Sequence, residues 1–250
     1  VNRLMAPWAS AEKILKDYRE KSTRHFYNFT LGLPYLERSR QLSRDEFRSN
    51  LVTREQLQAL GKAKVICGID QGNNFHVVMG CASSQGTVVT KLDRLMNSDQ
   101  LEDFLSSYRP EFMAMDMFPD QHYAKKLQKQ YGRDRFFLVN QRTWQDAQKV
   151  HEIQEFDRSR GLINLERTEA LDRLYDRIRS GSLGILESIA GIDDLFTHLQ
   201  NLIPDVQKKF GRERKVYRKI GQDDFTHALN YFLTASLLAF PNIDTQATQI

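Results

Sequence analysis

The 250 residues are 40% hydrophobic and 27% charged, and 36 lysines and arginines against 32 acids leave a net charge of +4. This is the composition of an ordinary globular protein, with enough chain for one large domain or a domain with an appendage. The longest apolar run, Tyr231 to Phe240, is interrupted by Thr234 and Ser236 and falls short of the roughly 18 residues that cross a bilayer, and two cysteines are too few for a disulfide scaffold. With no signal-peptide pattern at the N-terminus, a soluble cytoplasmic protein without membrane contact is expected. The six histidines lack metal-finger spacing, which argues against a structural zinc site.

Ser10 suits the cap of a first helix carrying Ile14, Leu15 and Tyr18, and Leu31-Gly32-Leu33-Pro34-Tyr35 breaks the pattern. Thr53-Arg54-Glu55-Gln56 is a capping box for a short helix with Leu57 and Leu60 on its apolar face and Gly61 as its C-terminal cap. Residues 1–61 are therefore expected to be a helical linker or N-terminal arm. From Lys64 the chain turns to strands, over 65–70, 75–82 and 87–92. Their connections, Gly72-Asn73-Asn74 and Ser83-Ser84-Gln85-Gly86, are so short that neighbours must run antiparallel. Cys67 and Cys81 fall on the first two, as a pair of buried thiols.

A helix starting at Asn97 or Ser98 carries Leu101, Phe104, Leu105 and Tyr108 and ends at Arg109-Pro110. Residues 112–116 form a strand, Pro119 opens a helix running to about Tyr131, and 135–139 is a fifth strand. Residues 162–165 lead as a strand into a helix over 168–179 closed by Gly181. A helix over 191–202, a hairpin around Gly211 and a long helix over 223–240 complete the pattern. Residues 62–241 thus read as an α/β domain of ribonuclease H-like arrangement. Its mixed central sheet has three antiparallel strands followed by parallel strand-helix units, with helices on both faces, and 242–250 is a flexible tail.

Asp70 closes the apolar run Val65-Ile66-Cys67-Gly68-Ile69, and a carboxylate at the mouth of a buried strand is costly unless a cation meets it. Asp116 closes the strand expected beside it. On a helix turning about 100° per residue, Asp224, His227 and Tyr231 share one stripe and Asp223 points away. Asp224 is therefore the first choice for a third ligand and Asp223 for a helix cap. Singly, each acid suits a cap or turn equally well, and His227 suits a hydrogen-bonded core histidine. Together, in this order on these elements, they suggest a pair of Mg²⁺ ions about 3.5–4 Å apart for phosphodiester hydrolysis. Carboxylates without clustered histidine or cysteine suit Mg²⁺ better than zinc. The expected metal ligands are Asp70 (shared by both ions), Asp116, Asp224 and Asp223, and His227 joins them in the catalytic set.

Lys208, Lys209, Arg212, Arg214, Lys215, Arg218 and Lys219 face the single acid Glu213. Such a stripe fits the backbone of double-stranded DNA without reading bases, and equally fits a solvated surface hairpin. A metal-dependent endonuclease is the leading reading. Its rivals are a Holliday-junction resolvase or transposase-type nuclease of the same fold, and a non-cutting adapter that docks a motor.

The segments Gly68-Ile69-Asp70-Gln71-Gly72, the strand ending at Asp116, Asn164-Leu165-Glu166-Arg167-Thr168-Glu169-Ala170-Leu171-Asp172 and Asp223-Asp224-Phe225-Thr226-His227-Ala228-Leu229-Asn230-Tyr231 resemble the C-terminal nuclease domain of tailed-phage large terminase subunits. Phe29-Thr30-Leu31-Gly32-Leu33-Pro34-Tyr35 is similar to the segment joining their ATPase and nuclease parts. The resemblance implies an endonuclease that cuts concatemeric double-stranded DNA during viral genome packaging with Mg²⁺ or Mn²⁺. It also implies an ATPase motor domain in the parent chain, a portal and a small terminase subunit as partners, and an infected host cell as the setting. Asp70 and Asp116 match the first two metal-binding acids and Asp223-Asp224 the last. Some members carry Asp where this chain has His227, so the division of labour among Asp223, Asp224 and His227 stays open. No Gly-x-x-x-x-Gly-Lys-Ser/Thr occurs, so ATP hydrolysis is not expected of these residues.

Overall fold

The computed structural model describes residues 41–142, 154–209 and 212–240, together with Ser10, Glu12 and Ile14. It divides into two units, Val1–Gln41 and Leu42–Ile250. In the first, the Ile14 N–H donates to the Ser10 carbonyl at 3.1 Å, one helical turn where a helix is expected. The break at 31–35 and the tail over 242–250 lie outside the described residues.

The second unit begins at Leu42, upstream of the boundary expected at residue 61. Helix α1 (Arg44–Arg48) starts in a Ser43/Glu46 capping box and α2 (Arg54–Ala59) in the Thr53/Gln56 box. Between them the two-residue strand β1 (Leu51–Val52) joins the sheet. Leu42 and Phe47 are buried in its core, and Asn50, 1% exposed, donates to the Ile178 carbonyl and accepts from Leu183 N–H. Gly61 has φ +66°, as a C-terminal cap requires.

The sheet is built on β2 (Lys64–Gln71), β3 (Phe75–Ser83) and β4 (Gly86–Leu95), paired antiparallel in sequence order. On the other side of β2, β5 (Phe112–Asp116), β6 (Phe136–Arg142) and β8 (Leu162–Glu166) add in parallel. The edges were not foreseen: β7 (Gln154–Asp157) pairs antiparallel with β8, and β9 (Gly184–Leu186) lies between β4 and β1. This is the mixed ribonuclease H-like sheet that the turn lengths imply.

Side chains alternate between two cores. Cys67, Ile69, Val77, Met113, Met115 and Phe136 face α3 (Ser98–Tyr108) and α4 (Gln121–Tyr131). Ile66, Val78, Ala114 and Phe137 face α5 (Arg167–Arg179), α6 (Ile192–Gln200) and α7 (Asp224–Ala239). Cys67 and Cys81 lie on neighbouring strands as free thiols, the first buried and the second half-buried. Pro119 does not open α4. It follows a cis bond to Phe118, and the helix starts two residues later, where the Asp120 carboxylate caps the Tyr123 N–H at 2.9 Å. The helix expected over 191–202 stops at Gln200, because Leu202 begins β10 (Leu202–Lys209), which pairs antiparallel with β11 (Arg212–Lys219).

No helix among the described residues is long and apolar enough to cross a membrane, and α7 is instead buried along almost its whole length.

Candidate metal centre

The site is assembled where β2, β3 and β5 meet the start of α7. Parity along β2 puts Gly68 and Asp70 on the α7 face, and parallel pairing with β5 in the register Ile69↔Met115 sets Asp116 beside Asp70. Gly68 lets the helix approach the sheet backbone directly. A Cβ there would stand 2.1 Å from the Ala228 carbonyl oxygen and 2.2 Å from the Phe232 nitrogen. The stripe of Asp224, His227, Ala228 and Tyr231 is thereby brought onto the two strand-end aspartates.

Asp70 is 8% exposed, and no donor among the described residues reaches its carboxylate. Burial, followed by the charges of Asp116, Asp224 and Asp223, pushes its proton affinity far above the usual carboxylate range, and Lys219 offsets this in part. Asp116 is also raised by burial. It is tethered by the Phe118 N–H at 3.0 Å on one oxygen and by the Tyr231 hydroxyl at 2.6 Å on the other. Tyr231 in turn accepts from Gln141 Nε2.

Asp223 holds the N-cap position of α7 but does not cap it with its side chain. Its carboxylate pairs with Lys219 and, at 3.3 Å, with His227 Nε2. Burial alone would raise its pKa, but the hydrogen bonds from His227 and Lys219 bring it down to about 2. The cap expected of Asp223 is supplied from another helix: His198 Nδ1 accepts the Phe225 N–H at 3.0 Å. His227 Nε2 also lies 3.4 Å from an Arg167 guanidinium nitrogen.

Asp224, half-buried, faces His76, whose Nε2 is 3.9 Å from its Oδ2. One donor atom each of Asp70, His76 and Asp224 gather within 4.8 Å of one another.

No protein-family model and no curated protein matches the chain. Solved structures do. The nuclease domain of the large terminase subunit gp2 of bacterial virus Sf6 aligns at a TM-score of 0.50 and 12% identity, over 76% of this chain and 96% of that one. A mutant of the same domain, with manganese and beta-thujaplicinol, aligns at 0.50 and 11% identity, over 78% and 97%. The fold is that of a terminase nuclease domain. The large terminase nuclease of thermophilic phage G20c aligns at 0.46 and 12% identity, over 69% and 82%.

On this terminase-nuclease fold, Asp70, Asp116, Asp223 and Asp224 come to one corner, and the electrostatics of Asp70 register all the other three. His227 is held by Asp223 and Arg167 behind them. His76 was missed. It lies directly across the β2–β3 hairpin from Asp70 in the ladder, and counting back over the three-residue turn would have found it. The basic stripe forms the β10–β11 ribbon, while Phe210 and Gly211 and the side chains of Lys208, Lys209, Arg212 and Arg214 lie outside the described residues. Of the rest, Lys215 is bound to Asp172 at 2.5 Å and Lys219 serves Asp223, so these two neutralise acids of this chain.

Proposed function

We propose that the protein is a metal-dependent endonuclease that cuts double-stranded DNA during viral genome packaging, as the nuclease part of a large terminase. The observation that carries this reading is Asp70: a buried carboxylate that no donor among the described residues reaches, surrounded by three further acids on a fold shared with terminase nucleases. Such a group is costly in isolation and becomes favourable when cations enter. The donor set is rich in carboxylate oxygen, which fits Mg²⁺ or Mn²⁺, and a terminase nuclease of this fold has been solved with manganese.

In this reading Asp70, Asp116 and Asp224 would hold the ions, with Asp70 the acid central to the set. Two bound ions supply activation of a water and charge neutralisation at the phosphate. The residues themselves do the positioning. Tyr231 and the Phe118 N–H fix both oxygens of Asp116, so its carboxylate cannot rotate away. Lys219 and His227 keep Asp223 ionised beside the cluster. The β10–β11 ribbon, with Lys208, Lys209, Arg212 and Arg214, contacts the DNA backbone, while Lys215 stays with Asp172. The ATPase motor, portal and small subunit are the partners of the parent assembly.

The test is plasmid nicking with Mn²⁺ by the wild type and by Asp70→Asn, with linear duplex and four-way junction substrates in parallel. Cleavage of both linear and junction DNA, lost in Asp70→Asn, is expected. Equal cleavage by the folded variant refutes the assignment, and cleavage confined to junctions assigns a resolvase.

A further inference from the structure

His76 has no part in the reading above, yet its side chain is 6% exposed and directed at the acids. It is packed edge-on against Phe225, ring centroids 4.8 Å apart, and lies 5.7 Å from the His198 ring. Among the described residues neither of its ring nitrogens has a hydrogen bond: Nδ1 is buried without a partner, and Nε2 stops 3.9 Å short of Asp224. An unsatisfied buried polar atom costs about 1–3 kcal/mol, so packing alone gives no reason for an imidazole here. His198 is not an equivalent candidate, because its Nδ1 already accepts the Phe225 N–H.

The spacing supplies a reason. The donor atoms of Asp70, His76 and Asp224 lie within 4.8 Å of one another. On an ion with bonds of about 2.1–2.2 Å, opposite ligands stand roughly 4.2–4.4 Å apart and neighbouring ones roughly 3.0 Å, so inward shifts of less than about 1 Å would close all three on one cation. We propose that His76 is a nitrogen ligand to one divalent ion, shared with Asp70 and Asp224, and that this imidazole makes the centre select Mn²⁺ over Mg²⁺. Imidazole suits first-row transition ions, whereas Mg²⁺ takes oxygen and gives up its water reluctantly. The inference rests on the metal centre proposed above and adds to it a ligand and an ion preference.

The test is pulsed EPR of the full chain loaded with Mn²⁺ alone, together with calorimetric titration of Mn²⁺ and Mg²⁺. Wild type is expected to show nitrogen modulation from a directly bound imidazole and to favour Mn²⁺ by about tenfold or more. His76→Phe, which keeps the aromatic packing, and His76→Asn both lose the modulation and most of the preference, whereas His227→Gln keeps the modulation. Mn²⁺ binding to wild type without nitrogen modulation, or modulation and preference that persist in His76→Phe, overturns this proposal alone. Failure of wild type to bind Mn²⁺ at all overturns the metal centre with it.

Discussion

A methyl group placed on Gly68 should separate the sheet from α7. In Gly68→Ala the new carbon would stand 2.1 Å from the Ala228 oxygen, 2.2 Å from the Phe232 nitrogen and 2.8 Å from the Phe232 Cα, where ordinary contact begins at 3.4 Å. All three obstacles are backbone, so no rotamer change relieves them and helix and strand must part by about 1 Å or more. Overpacking of this kind costs roughly 1–3 kcal/mol, occasionally more. At about 2–4 °C per kcal/mol for a unit of this size, the melting temperature should fall by roughly 2–12 °C. Function should suffer beyond stability, because the displaced helix carries Asp224, His227 and Tyr231. A misplacement near 1 Å can cost about a hundredfold in rate. Thermal unfolding with and without Mn²⁺, alongside plasmid cleavage below the melting range, separates the two effects. Gly72→Ala is the control, since a Cβ there meets nothing nearer than 3.8 Å. Wild-type melting, Mn²⁺ response and cleavage in Gly68→Ala would refute the claim that this glycine sets the distance between helix and acids.

Asp70→Asn should melt higher than wild type in metal-free buffer at neutral pH and lose Mn²⁺ stabilisation, which for wild type at a hundredfold excess over Kd is about 2.7 kcal/mol. The pH dependence has the same origin. Asp70 binds its proton more tightly folded than unfolded, so metal-free wild type loses stability as pH rises from the ordinary aspartate value through the raised one, and denaturant melts of the variant across that range should lack this loss. Tyr231→Phe removes a donor from Asp116 and leaves Gln141 without its hydroxyl partner. A stability loss of about 1–3 kcal/mol is expected by chemical denaturation, together with weaker Mn²⁺ binding by calorimetry. Replacing Lys208 and Lys209 together with Gln should reduce the slope of log affinity against log salt for duplex DNA by up to about 1.8, read by fluorescence anisotropy across a salt series.

The sheet centre was legible because local rules suffice there: β2 to β4 are β-rich runs joined by turns too short for any other pairing, and α7 follows from a long apolar segment ending at Pro241. The edges were not. β1 has two residues and β9 three, too few for any periodicity, and both exist only because distant segments pair. Likewise Asp120, being the better cap, starts α4 in place of Pro119. At the site, helical geometry separated Asp224 from Asp223 but could not show that Asp223 would be drawn into pairs with Lys219 and His227 while His198 took over the cap. His76 escaped because histidines were judged by their spacing in sequence, whereas its neighbour is set by strand register.

Asn50 has a practical consequence for anyone shortening the chain. A version trimmed to start at residue 62 would discard Leu42, Phe47 and Asn50 at a stroke, exposing Phe196, whose ring lies 5.1 Å from that of Phe47, and taking from the Leu183 amide the Asn50 oxygen it donates to. Sticky apolar surface and an unsatisfied amide invite precipitation. Minimal soluble versions should therefore keep everything from Leu42 onward.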